Sequence, residues 1–68
     1  MSKLREARMA RELTQQEVAD RVGIRSNWYN MIENGQRTAP SHIAARIAEV
    51  LGTDVSSLFE CASFSVRR

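Results

Sequence analysis

Cysteine, histidine and proline occur once each in this 68-residue chain, at Cys61, His42 and Pro40. A single cysteine cannot close an intramolecular disulfide, so no covalent staple is expected, and the usage suits a reducing compartment. One histidine with a distant cysteine offers too few ligands for a metal centre of the usual spacing. A nucleophile–base pair would need His42 next to Ser, Thr or Cys inside a pocket, and in the first turn of an expected helix His42 reads instead as a solvated side chain. No glycine-rich run is present to cradle a phosphate. An enzyme is therefore not expected, and no metal or cofactor is called for. No apolar run approaches the roughly 20 residues that span a bilayer. Residues 1–6 lack the apolar core of a signal peptide, so the cytoplasm is the expected location. The length itself allows one domain, whose folding buries only about 60% of the unfolded surface, and it excludes a cleft between two lobes.

What is present is the mix of a globular domain, 43% hydrophobic and 26% charged. The net charge of +2 is too mild to name a partner. Its distribution says more: residues 1–37 hold seven basic and five acidic side chains, and the remainder three of each. Nine of the ten basic residues are Arg, which suits planar recognition of phosphate and guanine.

The apolar spacing is helical almost throughout. Ser2 is a plausible N-cap for a first helix reaching about Glu12, with Leu4, Ala7 and Met9 among its charges. Thr14-Gln15-Gln16-Glu17 reads as a capping box that opens a second helix, with Val18, Ala19 and Val22 as its stripe and Gly23 as its stop. A tight connection leads to a third helix from about Ser26 to Asn34, with Tyr29 and Ile32 inward. Ser41 is read as the N-cap of a fourth helix carrying Ile43, Ile47 and Leu51 and closed by Gly52. A short fifth helix, about Asp54 to Glu60, would bury Val55, Leu58 and Phe59. In the tail, Phe64 and Val66 alternate with polar residues, a weak strand signal. The expectation is an all-α fold of five helices with one short C-terminal strand. Residues 1–60 would form the domain and residues 61–68 a tail.

Helix, four-residue turn, helix is the informative pattern. Two helices cross steeply only where the facing side chains are small, and Ala19 and Gly23 answer that requirement, with Ile24, Tyr29 and Ile32 filling the angle. This is the geometry of a helix-turn-helix, whose second helix enters a major groove. The runs Leu13-Thr14-Gln15-Gln16-Glu17-Val18-Ala19, Val22-Gly23-Ile24, Ile32-Glu33-Asn34-Gly35, Pro40-Ser41, Ile47 to Gly52 and Leu58-Phe59 together resemble the phage-repressor-like helix-turn-helix family. That family includes the lambda-type repressors and the xenobiotic-response-element regulators. The resemblance spans about Leu4 to Phe59.

It implies a compact five-helix domain that binds double-stranded operator DNA, commonly as a homodimer, for transcription regulation. On matching positions, Gln15 would donate to a backbone phosphate, and Ser26, Asn27 and Asn30 or Met31 would face base edges. The chemistry of these residues fits. An Asn amide can bond adenine, and a Ser hydroxyl can serve several bases. Met31 would rest on a thymine methyl, or else be an ordinary exposed methionine. Arg25 would reach a guanine or a phosphate, and Asn34 and Arg37 would hold phosphate. Trp28 has two readings, a contact with the sugar–phosphate backbone or a cover for the edge of the core. The resemblance also pairs Arg8 with Glu33 as a structural ion pair.

The chain departs from the family pattern at Glu12, where relatives often have Gly, and at Arg25, where Ser or Thr often caps the recognition helix. Ser26 would then cap in its place and start that helix one residue later. For a dimer seam, Val55, Leu58, Phe64 and Val66 are the candidates. A repressor or a controller protein of a phage, mobile element or restriction–modification system is the expected role. The alternative is an antitoxin-type module that neutralises a protein partner and regulates its own promoter. A coactivator-like domain that had given up DNA should carry acidic residues on the third helix, which here offers Ser26, Asn27 and Asn30.

Overall fold

The structure is a computed structural model that describes residues 2–60 and 64–67. Its helices are α1 (Lys3–Ala10), α2 (Gln15–Val22), α3 (Ser26–Glu33), α4 (Ser41–Leu51) and α5 (Val55–Leu58). Among the described residues there is no strand. The alternation in the tail yields an isolated antiparallel bridge between Phe59 and Val66.

Local chemistry explains most boundaries. Ser2 Oγ accepts from the Arg5 amide at 3.1 Å and opens α1. Thr14 Oγ1 accepts from the Glu17 amide, and Glu17 Oε1 accepts from the Thr14 amide, so the capping box is complete. Those bonds to Thr14 hold the Glu17 carboxyl below its ordinary range. At the other end of α2, Gly23 has φ 92°, and the amides of Gly23 and Ile24 both donate to the Ala19 carbonyl. A Cβ at Gly23 would meet nothing within 4 Å. Gly23 is therefore needed for its left-handed backbone and not, as the pattern had suggested, for close approach of α2 and α3. That approach rests on Ala19, which is fully buried.

Two starts differ from the sequence expectation. Arg25 holds the N-cap position of α3, with Ser26 already helical, although no side chain caps it. The Arg25 carbonyl accepts from the Tyr29 amide at 3.0 Å, which makes it the first helical acceptor. Likewise Pro40, not Ser41, precedes α4, and its carbonyl accepts from both Ile43 and Ala44. Backbone direction set by the preceding connection outweighs the side-chain preference of a serine one position later.

The core joins Leu4 of α1, Val18 and Ala19 of α2, Tyr29 and Ile32 of α3 and the Ile43–Ile47–Leu51 stripe of α4. Leu58 and Phe59 close it from below, while Met9 is exposed. α2 packs on α3 and α4, α4 on α5, and α5 on α1. The described tail residues return onto this body. The Arg67 amide donates to the Leu58 carbonyl at 2.8 Å, and the Lys3 amide donates to the Arg67 carbonyl at 2.7 Å. This return corrects the proposed seam: Leu58 and Val66 are 2% and 8% exposed and are spent within the chain's own core. Val55 and Phe64 remain half-buried. Cys61 lies outside the described residues.

One polar group sits in that core. Glu33, at the end of α3, is 2% exposed. Arg8 of α1 reaches it with two parallel bonds, Nε to Oε2 and Nη2 to Oε1, each 2.9 Å, and Nη1 donates to the Leu13 carbonyl at 2.8 Å. Burial alone would raise the Glu33 carboxyl. The Arg8 bonds and charge outweigh it and hold the group below its ordinary range. In turn the bond to Glu33 raises the Arg8 guanidinium. The Tyr29 hydroxyl is buried without a hydrogen bond among the described residues, and burial followed by the Glu33 charge raises its phenol well above the ordinary value.

Two consequences can be measured. Glu12 follows the end of α1 with φ 57°, a left-handed conformation that costs a side-chain-bearing residue about 1–2 kcal/mol. Against the extra unfolded-state freedom of glycine, Glu12→Gly should gain about 0.5–1 kcal/mol. In thermal unfolding this appears as a rise in Tm of roughly 3–6 °C, and an unchanged or lower Tm would contradict the strain argument. For the ion pair, Glu33→Ala should cost about 3–5 kcal/mol. A chain of this length holds only about 3–10 kcal/mol in total, so the variant should lose roughly a third or more of its stability. Because the folded carboxyl titrates below its unfolded value near 4.3, its contribution is complete above that pH and disappears as pH falls through the folded value. The denaturant midpoint should drop on that acid side, and the drop should shrink in Glu33→Gln.

Candidate nucleic-acid interface

The outward face of α3 and the start of α2 enclose a shallow groove lined by Gln15, Gln16, Ser26, Asn27, Asn30 and Met31. Five of these six are residues that the sequence singled out. Gln16 is an addition; its amide donates to Asp20 Oδ1 one turn on, at 2.9 Å. Its only sequence signal was adjacency to Gln15 in the first turn of α2.

The groove has a rigid floor because its polar side chains are bonded to each other. Gln15 Nε2 donates to Glu33 Oε1 at 3.3 Å, so the buried ion pair extends toward the surface. Asn30 Nδ2 donates to Gln15 Oε1 at 2.8 Å, and Asn34 Nδ2 donates to Asn30 Oδ1 at 2.8 Å. Asn30 thus has both ends of its amide engaged inside the protein. It brackets α2 to α3 with one Nδ2 hydrogen and one Oδ1 lone pair, so a base could reach only what those two bonds leave. Such a bonded chain fixes side chains at low entropic cost when a ligand arrives.

Ser26 and Asn27 differ from Asn30. Asn27 is exposed, and its one hydrogen bond among the described residues is local, Oδ1 accepting from the Trp28 amide at 3.0 Å. Its amide nitrogen is free to donate outward. Met31 is half-buried at the same face, next to inward Ile32. Trp28 is half-buried and packs against the core edge, where it lines a separate hollow with Asp20, Gly23, Ile24 and Arg25. Its indole N–H makes no hydrogen bond among the described residues. Arg25 and Arg37 are exposed and make no ion pair there either. The loop bearing Arg37 is tied to α3, since the amides of Gln36 and Arg37 both donate to the Met31 carbonyl. The structure therefore gathers Gln15, Ser26, Asn27, Asn30 and Met31 in one groove, with Asn34 and Arg37 following the end of α3 and Arg25 and Trp28 beside its start. Val55 and Phe64 belong to α5 and the tail.

Among the described residues no group of three or more His, Cys, Asp or Glu side chains could hold a metal ion. No helix is long and apolar enough to cross a membrane.

Comparison with known proteins agrees with this geometry. The helix-turn-helix family profile matches residues 4–58, which take in all of the five helices except Lys3, the first residue of α1. The chain is 39% identical over 57 residues to a Bacillus subtilis protein described as the uncharacterized HTH-type transcriptional regulator YqaF, covering 84% of this chain and 75% of that protein. No solved structure matches at a significant level. With a capped α2, a left-handed Gly23 and an outward-facing α3 all inside the matched span, the chain belongs to the helix-turn-helix family of the lambda-repressor-like type.

Proposed function

We propose that this chain is a transcriptional regulator that binds double-stranded DNA sequence-specifically, with α3 in the major groove. The observation that carries the reading is the outward face of α3. It presents a hydroxyl, an amide and a thioether from Ser26, Asn27 and Met31 above a floor fixed by the Gln15–Asn30–Asn34 bonds. These are the groups that read base edges: an amide for adenine, a hydroxyl for several bases and an apolar surface for a thymine methyl. Asn27 gains its full amide for adenine by releasing the Trp28 amide, a local bond at an exposed site. Gln15, Arg25, Asn34 and Arg37 surround that face and would hold phosphates, which position the protein and make affinity fall with salt. Asn30 serves as a bracket in this reading, and Trp28 as a cover of the core edge.

One such unit buries little surface, so a homodimer on a two-fold operator follows, with half-sites about 34–36 Å apart. Val55 and Phe64 are the members of the C-terminal set still open to a second copy. The protein would act in the cytoplasm, as a repressor or controller of a phage, mobile element or restriction–modification system.

Selection of bound sequences from random duplex DNA tests this reading. A palindromic site should emerge. Asn27→Ala should lose discrimination at one base pair per half-site, worth about 1–3 kcal/mol. Asn30→Ala should weaken binding to every sequence alike and leave the preferred site unchanged. No enrichment at low salt would overturn the proposal and favour a protein partner of antitoxin type.

A further inference from the structure

A second hollow adjoins the reading groove and shares two of its walls. It is lined by Arg5, Arg8, Glu12, Leu13, Thr14, Gln15, Asn30 and Asn34, so Gln15 and Asn30 border both hollows. The two depressions therefore lie side by side, with the Gln15–Asn30 bond between them. Their chemistry differs. The reading groove holds no charged side chain, whereas the second hollow carries three. Arg8 is committed to Glu33 and to the Leu13 carbonyl. That leaves Arg5 and Glu12, both exposed, as the charges facing outward. Neither forms an ion pair among the described residues, with each other or with any third group. Arg5 has no structural task for its side chain, since only its backbone amide is used, on Ser2.

We propose that this hollow is a backbone subsite, which takes the sugar–phosphate strand bordering the major groove as it leaves the reading groove past Gln15. Arg5 is its phosphate cation and Glu12 an opposing charge that weakens it. The inference rests on the DNA-binding reading above and extends the contact onto α1, from which the sequence had named only the structural Arg8. Adjacency and charge support this assignment. A base edge in the first hollow requires its own sugar and phosphate a few ångströms to the side, and the adjoining depression offers polar walls with one free guanidinium. Glu12 in the same place lowers the field that Arg5 sets up, so the two residues make predictions of opposite sign.

The test uses the full chain and two duplexes, the selected site and an unrelated sequence of the same length, with affinity measured against salt. Arg5→Gln should weaken both duplexes by the same factor, leave the preferred site unchanged, and make the slope of log K against log salt shallower by about 0.9 per bound protomer. Glu12→Gln should strengthen both. Since neither side chain has a bond in the fold, both variants should keep the parent Tm, which separates lost contact from lost structure. If the parent chain discriminates the selected site while Arg5→Gln and Glu12→Gln match its affinity and slope, the subsite is wrong and the DNA reading stands. If the parent chain binds neither duplex, the DNA reading fails and takes the subsite with it.

Discussion

A single buried carboxylate orders this domain. Glu33 ends the helix that faces outward, and its charge is tolerated in the core only because Arg8 meets it with two parallel bonds. An isolated carboxylate there would be far too costly, so α1 and α3 have one relative placement that satisfies both partners. Consequences spread outward from that placement. Arg8 also holds the Leu13 carbonyl, which fixes the turn into α2. Glu33 accepts from Gln15, which in turn accepts from Asn30, and the chain of bonds ends at Asn34 on the surface. The position of the exposed groove is set by a charge that never reaches solvent.

This arrangement assigns stability and recognition to different atoms of neighbouring residues. Ile32 and Tyr29 face the core, Glu33 the ion pair, and Asn27 and Met31 the groove, all within eight residues of α3. Helical periodicity permits this division because adjacent positions point about 100° apart. Changes at Asn27 can alter preference without touching the core. Changes at Glu33 act first on the stability of the domain.

Much of this was readable along the chain where the controlling interaction is local. The Thr14–Glu17 box and the left-handed Gly23 involve residues at most four apart, and both form as their spacing implied. The Glu12 position is a related case. Its departure from the glycine of relatives marked the turn, and the backbone keeps the left-handed conformation despite the side chain. Serine caps misled at α3 and α4 because a serine signals only a preference, while the carbonyls of Arg25 and Pro40 were already aimed down the helix. Residue types alone could name Asn30 as a polar residue on the right face. They could not show that its amide bonds partners at Gln15 and Asn34, one of them on another helix. The tail was least legible: alternation put Phe64 and Val66 on one face, but did not show that Val66 would find Phe59 and withdraw from any seam.

The return of the tail also bears on how the chain acquires its shape. α2, α3 and α4 follow one another closely, so most of their contacts close short loops, which favours rapid assembly. The bond from the Lys3 amide to the Arg67 carbonyl is different, for it joins nearly the whole chain end to end. Closing such a loop from an unstructured chain costs roughly 4 kcal/mol in entropy, but almost nothing once the helices have met. The tail is thus a latch that engages after the bundle is built.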